Sequence, residues 1–245
     1  MCRHLAYLGP PIPLGALLVD APHGLLDQAR HPRRQHSGTE NPDGYGVAWF
    51  AASDETPRRY RTATPIWEDT VLGTLASTVC APAVLAAARL ASPGSPVERS
   101  GNAPFVAGSY AWSLNGFVHG WHDGVGADLR ELVSEHRRAR IEGVTDSETL
   151  FAFALDHLDA GASPGQALEA VLDTVTARAS GRLNLLLTDG HRLAASAWGN
   201  SLAARESPGS VVVASEALDD HPDWVDIPDH TLVAGTADGL ACTPL

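Results

Sequence analysis

The spacing of apolar residues changes period along the chain. Residues 45–51 (YGVAWFA) are an apolar run directly after the turn-forming Asn41-Pro42-Asp43-Gly44, which predicts a buried strand. Residues 58–62 predict a second strand paired with it. Residues 82–91, rich in Ala and Leu, predict a short helix ending near Arg89, and residues 92–104 (SPGSPVERSGNAP) a long loop. A strand over 109–114 then ends at Asn115-Gly116. The middle of the chain switches to helical spacing. Leu129, Leu132 and Val133 predict a helix over 128–140, and Leu150, Phe151, Phe153, Ala154 and Leu155 one over 147–158. Pro164 opens a third over 164–179, with Gly181 beyond its end. Strand patterns return at 183–187, 192–198, 210–215 and 231–234, with Asp189-Gly190 and Asp238-Gly239 placed as hairpin turns. Strands, then helices, then strands predict an α+β layered fold. Without a repeat or linker, residues 1–245 are expected to form a single domain.

Composition narrows the function. A chain of 245 residues can bury a sizeable core, and a formal charge of −12 argues against a nucleic-acid partner, which wants a basic face. The most apolar run, 81–90, is too short to span a bilayer, so no membrane association is expected. The N-terminus lacks the charged head and apolar stretch of a secretory signal. Cys2, Cys80 and Cys242 are widely spaced and form neither a disulfide framework nor a zinc motif. These features predict a reduced, cytoplasmic setting. The eleven His include no H-E-x-x-H, and no metal or cofactor is expected. The sequence does not reveal an oligomeric state.

Candidate chemistry begins at Cys2, which follows Met1. Removal of Met1 would place a thiol and a free α-amine on one residue. The thiol needs little activation as a nucleophile, and the amine, which titrates at about pH 8 in peptides, can serve as general base. Four clusters follow, each with an ordinary structural reading. Asn41 to Gly46 reads as a turn into a strand. Arg89, opening into Ser92-Pro93-Gly94, can present its guanidinium fork to a carboxylate or lie over an apolar face. Asn115-Gly116 offers the donors of an oxyanion hole or a hairpin turn. Thr145-Asp146-Ser147-Glu148 reads as a helix start, whose Asp can also bind an ammonium group.

Together and in this order, Cys2, Pro42-Asp43-Gly44-Tyr45-Gly46, Arg89 to Gly94, Asn102 to Phe105, Asn115-Gly116 and Thr145 to Glu148 resemble the class II glutamine amidotransferases, N-terminal-nucleophile hydrolases. The resemblance covers about the first two-thirds of the chain. It implies a four-layer αββα sandwich and a small-molecule γ-glutamyl substrate. It also implies Cys2 as nucleophile through a thioester, Asn115 and the Gly116 N–H as oxyanion hole, and Arg89 and Asp146 as partners of the substrate α-carboxylate and α-amine. Ser92 belongs to the same substrate loop. Leu114 before Asn115, Ser92-Pro93 and Asn102-Ala103-Pro104 depart from the usual His-containing motifs and put free glutamine in doubt as substrate. The stand-alone length, the 89–96 loop and the late 197–202 segment resemble members that remove glutamate from γ-glutamyl-hercynylcysteine sulfoxide in ergothioneine biosynthesis. Trp198, Asn200, Trp112 and Trp121 are then expected near the larger leaving half, where an aromatic face suits a trimethylammonium group. The alternatives are a glutaminase passing ammonia to a partner synthase and a non-catalytic γ-glutamyl-binding protein.

Overall fold

A computed structural model describes residues 2–51, 54 and 56–245. Met1, on which the expected trimming bears, lies outside them. Strand β1 (Arg3–Pro13) runs through the middle of the first sheet, with helices α1 (Gly15–Leu18) and α2 (Leu25–Arg30) after it. Strands β2 (Tyr45–Phe50) and β3 (Arg58–Thr62), helix α3 (Leu72–Thr78) and strand β4 (Cys80–Ala88) follow. The chain then crosses to the second sheet through β5 (Phe105–Ala107) and β6 (Tyr110–Val118). Helices α4 (Val125–Glu131), α5 (Glu135–Arg138), α6 (Asp146–Asp159) and α7 (Pro164–Thr176) lead back to β7 (Gly181–Thr188) and β8 (Arg192–Ala197). Strands β9 (Ala203–Ser207), β10 (Ser210–Ala214) and β11 (Val225–Asp226) complete the first sheet, and β12 (Thr231–Thr236) and β13 (Gly239–Pro244) the second.

The first sheet has the order β11-β9-β10-β1-β4-β2-β3, the second β13-β12-β8-β7-β6-β5, with antiparallel pairing throughout. Period-2 alternation explains the layers. On β1, Leu5 and Tyr7 pack towards α1–α3, while Ala6 and Leu8 join Ala111, Leu186, Ala195 and Val233 between the sheets. On β6 and β7, Trp112, Leu114, Leu183 and Leu185 face outward beneath Leu150, Phe151, Leu168 and Val171 of α6 and α7. Helices, sheet, sheet and helices give the expected αββα sandwich.

Two expectations are corrected. Residues 82–91 are not helical: strand β4 lies between β1 and β2 with both faces buried. A strand buried on both sides shows no polar alternation, and its Ala content, which favours helix in isolation, is overridden by pairing. The helix over 128–140 is broken into α4 and α5, and Ser134 begins the second piece. The break is fixed from outside, because Asp156 of α6 accepts from the Ser134 N–H (2.8 Å) and Oγ (2.6 Å).

Candidate active site

Cys2 sits at the end of a central strand, and the register decides its company. Arg3 lies opposite Ala88, the last residue of antiparallel β4, so the next residue, Arg89, emerges beside Cys2. From the second sheet β6 brings Asn115, whose side-chain oxygen accepts from the Cys2 nitrogen at 3.0 Å. Helix α6 contributes Asp146 from its first turn. Cys2, Arg89, Ser92, Gly116 and Asp146 line one cavity.

Each side chain is held from behind. The Asp43 N–H donates to the Arg89 carbonyl (2.9 Å), the Arg89 N–H to the Gly44 carbonyl (2.8 Å), and the Asp43 carboxylate accepts from the Ala91 N–H (2.7 Å). The Pro42-Asp43-Gly44 turn therefore clamps the exit of β4. Gly44 has φ +102°, and a Cβ there would lie 2.3 Å from both Asn102 Nδ2 and the Thr62 carbonyl oxygen, so this position requires glycine. Arg89 is 7 % exposed and donates through Nη1 to the Pro96 carbonyl (3.0 Å). The loop predicted over 92–104 wraps this guanidinium. Asp146 Oδ2 accepts from the Val118 N–H (3.0 Å) and Oδ1 from the Ser147 N–H (2.8 Å). Burial pushes its carboxyl above the usual aspartate range, against the pull of those two N–H groups and the Arg89 charge. The helix cap is Thr145, which accepts from the Glu148 N–H.

Asn115-Gly116 lies inside β6 and is not a hairpin turn. Gly116 is opposite Leu183 of β7, and a Cβ there would fall 1.8 Å from the Arg182 carbonyl oxygen. Gly116→Ala is therefore expected to force β6 and β7 apart, lowering stability by about 1–3 kcal/mol and lowering turnover with it. Urea unfolding and kcat of the variant check this. Wild-type values for both would show that the sheet gives way at no cost.

Behind Cys2 lies a buried polar network that no local motif announces. Arg3, fully buried, donates from Nε to the Cys2 carbonyl (2.8 Å) and from Nη1 to Glu216 Oε1 (2.6 Å). Glu216 also accepts from the Arg33 and Arg34 N–H groups (both 2.9 Å) and lies 2.8 Å from His23 Nε2. Burial alone would raise the Glu216 carboxyl, but His23, the two N–H groups and the Arg3 charge outweigh it and hold the pKa at about 2. Ser215 Oγ accepts from the His4 N–H (3.0 Å) and from Asn115 Nδ2 (3.3 Å), tying β1 to β6. His4 itself, fully buried, is held neutral at a pKa of about 3 by burial and by Arg3. The one signal in the sequence is the placing of Arg3-His4 and Ser215-Glu216 at the ends of apolar runs.

Trp198 and Asn200 lie outside the residues lining the Cys2 cavity. Trp198 packs against His230 with ring centres 4.0 Å apart and planes tilted by 31°, and Asn200 Nδ2 donates to the Asn115 carbonyl (2.9 Å), bracing that residue from behind. Trp112 is fully buried and stacks on Phe151. Trp121 does line a compartment, shared with Phe117, His119 and His122, that has Ser92, Ser95, Thr145 and Asp146 in common with the Cys2 cavity.

The chain has relatives among known proteins. Residues 25–209 match the family model of class-II glutamine amidotransferases. The chain is 38 % identical over 247 residues to a γ-glutamyl-hercynylcysteine sulfoxide hydrolase of Mycolicibacterium smegmatis, covering all of both chains. It is 36 % identical over 249 residues to the Mycobacterium tuberculosis protein of that name, covering all of this chain and 97 % of that one. Among solved structures, a glutamine aminotransferase class-II domain protein from Silicibacter pomeroyi superposes with TM-score 0.69 at 23 % identity over 99 % of both chains. The glutamine phosphoribosylpyrophosphate amidotransferase of Bacillus subtilis does so with TM-score 0.70 at 15 % identity, covering 99 % of this chain and 49 % of that one. The chain belongs to the class II glutamine amidotransferases, enzymes that act on amide bonds.

Proposed function

We propose that this protein hydrolyses the γ-glutamyl amide of γ-glutamyl-hercynylcysteine sulfoxide, releasing glutamate, as a single domain with Cys2 as nucleophile. The observation that carries the reading is the shared cavity of Cys2, Arg89 and Asp146 in a chain alike over its whole length to hydrolases of that name. A zwitterionic amino-acid head needs one fixed cation and one fixed anion, and the Arg89 fork and the Asp146 carboxylate supply them. With the head held, the thiol of Cys2 attacks the γ-carbonyl carbon. The Gly116 N–H and Asn115 Nδ2, whose bond to Ser215 is a long 3.3 Å, stabilise the oxyanion. Asn115 Oδ1 aims the Cys2 amine, which takes the thiol proton and returns it to the leaving nitrogen. Collapse expels the amine half and leaves a thioester, which water hydrolyses to glutamate. The leaving half reaches towards Trp121 and Phe117, whose faces suit a trimethylammonium group.

The test is kcat/KM for the sulfoxide conjugate, for the same conjugate without its trimethylammonium group, and for glutamine. The first should be best. If glutamine is best, the ammonia-supplying glutaminase replaces this reading.

Two further results are expected. The base must be a free amine, so the intact mass of active protein should be lower by one methionine. Active protein that keeps Met1 would rule the α-amine out. Head binding also needs Asp146 ionised. Its carboxyl is raised, so KM should climb as pH falls, beginning at a higher pH than an exposed aspartate near 3.9 would give. Asp146→Asn should have a high KM at every pH without that rise. An unchanged KM profile in the variant would leave Asp146 with only its structural bonds to Val118 and Ser147.

A further inference from the structure

A second cavity, of about 270 Å³, opens between β3, β5 and the α5–α6 segment. Four arginines line it, Arg59 and Arg61 from β3, Arg137 from α5 and Arg140 just beyond, while Phe105, Phe151 and Leu155 form an apolar wall. The two acids on its lining are poor counter-charges. Glu148 already accepts from the N–H groups of Glu142 (2.9 Å) and Gly143 (2.7 Å). Glu142 stands 3.5 Å from Arg61 with its side chain 65 % exposed, so water screens it. Arg137 pairs with Asp159, yet its Nε is buried without a partner. Among the described residues, the Arg59 side chain hydrogen-bonds only the Pro104 carbonyl, at 3.5 Å, and Arg140 makes no side-chain hydrogen bond or ion pair. Burial and the neighbouring Arg59 push the Arg61 pKa down to about 10, and burial lowers that of Arg59, in both cases against the opposing pull of Glu142 and Glu148. In a chain of formal charge −12, this cleft holds excess positive charge: Arg61 and Arg137 are largely removed from water, with Arg59 and Arg140 exposed at its mouth.

We propose that the cleft is a binding site for a small molecule bearing a carboxylate or phosphate group. The forks of Arg59 and Arg140 take the oxyanion, since guanidinium presents paired N–H donors to such groups. Phe105, Phe151 and Leu155 cover the ligand's apolar part. The site is separate from Arg89 and Asp146 and does not depend on the substrate proposed for them. It does back onto the same wall. Phe105 lines both cavities, and Arg61 donates to the Ser100 and Asn102 carbonyls (3.4 and 3.0 Å), on either side of Gly101, which lines the Cys2 cavity.

The experiment is calorimetric titration of the full-length enzyme with inorganic phosphate and, separately, succinate, with chloride adjusted to constant ionic strength. Saturable binding of about one equivalent of at least one probe is expected. Arg140→Gln should weaken it, and R59Q/R140Q should weaken it about tenfold or more, with unchanged melting temperature and unchanged kcat/KM at Cys2. Tighter phosphate binding assigns a phosphorylated ligand, and tighter succinate binding a carboxylate. No saturable binding of either probe overturns the proposal. So does binding that survives in R59Q/R140Q but is lost in Arg89→Gln, which would place the anion in the nucleophile cavity.

Discussion

Cys2→Ser is expected to lower kcat by a factor on the order of 10³ or more while KM stays within a few-fold. The two atoms differ little in size, and the contacts that place residue 2 are made by its backbone. Its nitrogen donates to Asn115 and its carbonyl accepts from Arg3. The head site at Arg89 and Asp146 is untouched, so substrate should still bind. What changes is the nucleophile: a hydroxyl is far less acidic than a thiol, and an amine with pKa near 8 cannot deprotonate it comparably. Cys80 and Cys242 serve as internal controls. Both are exposed, Cys80 opposite Pro13 at the far end of β4 and Cys242 on the edge strand β13. C80S/C242S should keep wild-type kcat and still be labelled once by a glutamine-like alkylating analogue, and Cys2→Ser should not be labelled. A serine variant turning over within tenfold of wild type would sink thiol catalysis.

The site was legible where its chemistry is carried by local motifs, and the fold where strands alternate or helices carry caps. Residues 45–50 and 58–62 read correctly because each strand follows a turn or loop and shows its own pattern. Helices α6 and α7 read correctly because Thr145, and the capping box of Ser163 and Gln166 with Pro164, mark their starts. Strand β1 escaped notice although it is central. Its first residues, Arg3 and His4, are charged or polar yet fully buried, and its end is broken by Gly9-Pro10-Pro11. The polar residues that hide the strand are the ones the site uses. Strand β4 was hidden for the opposite reason, being apolar on both faces. Asn115-Gly116 reads as a turn in isolation because the constraint that fixes it, the Arg182 carbonyl, comes from a strand 66 residues away. Glu216 was invisible because its partners, Arg3 and His23, are distant in sequence and no local rule pairs them.

Glu216→Gln should be among the most destabilising single changes in the chain, at about 3–5 kcal/mol, because it leaves the Arg3 guanidinium buried without its counter-charge. Both side chains are almost wholly inaccessible, at 0 % and 3 % exposure, so solvent cannot take over. The pH dependence has a definite sign. Glu216 titrates lower in the folded protein than in the unfolded chain, where a glutamate has its ordinary value of 4.5. Its contribution is complete above 4.5 and fades as pH falls towards about 2. Urea unfolding from pH 7 to pH 3 should therefore show wild type losing stability that Glu216→Gln never had, so the two curves converge in acid. A double variant separates folding from catalysis. Arg3→Met with Glu216→Leu removes both charges and should recover much of the stability, since a buried ion pair costs desolvation that apolar side chains do not. It should not recover kcat, because the bond from Arg3 Nε to the Cys2 carbonyl is gone and, among the described residues, no other side chain donates to that carbonyl. If the double variant regains both stability and wild-type kcat, Arg3 is a structural residue only. If it regains stability alone, the network that anchors the 215–216 turn also positions the nucleophile.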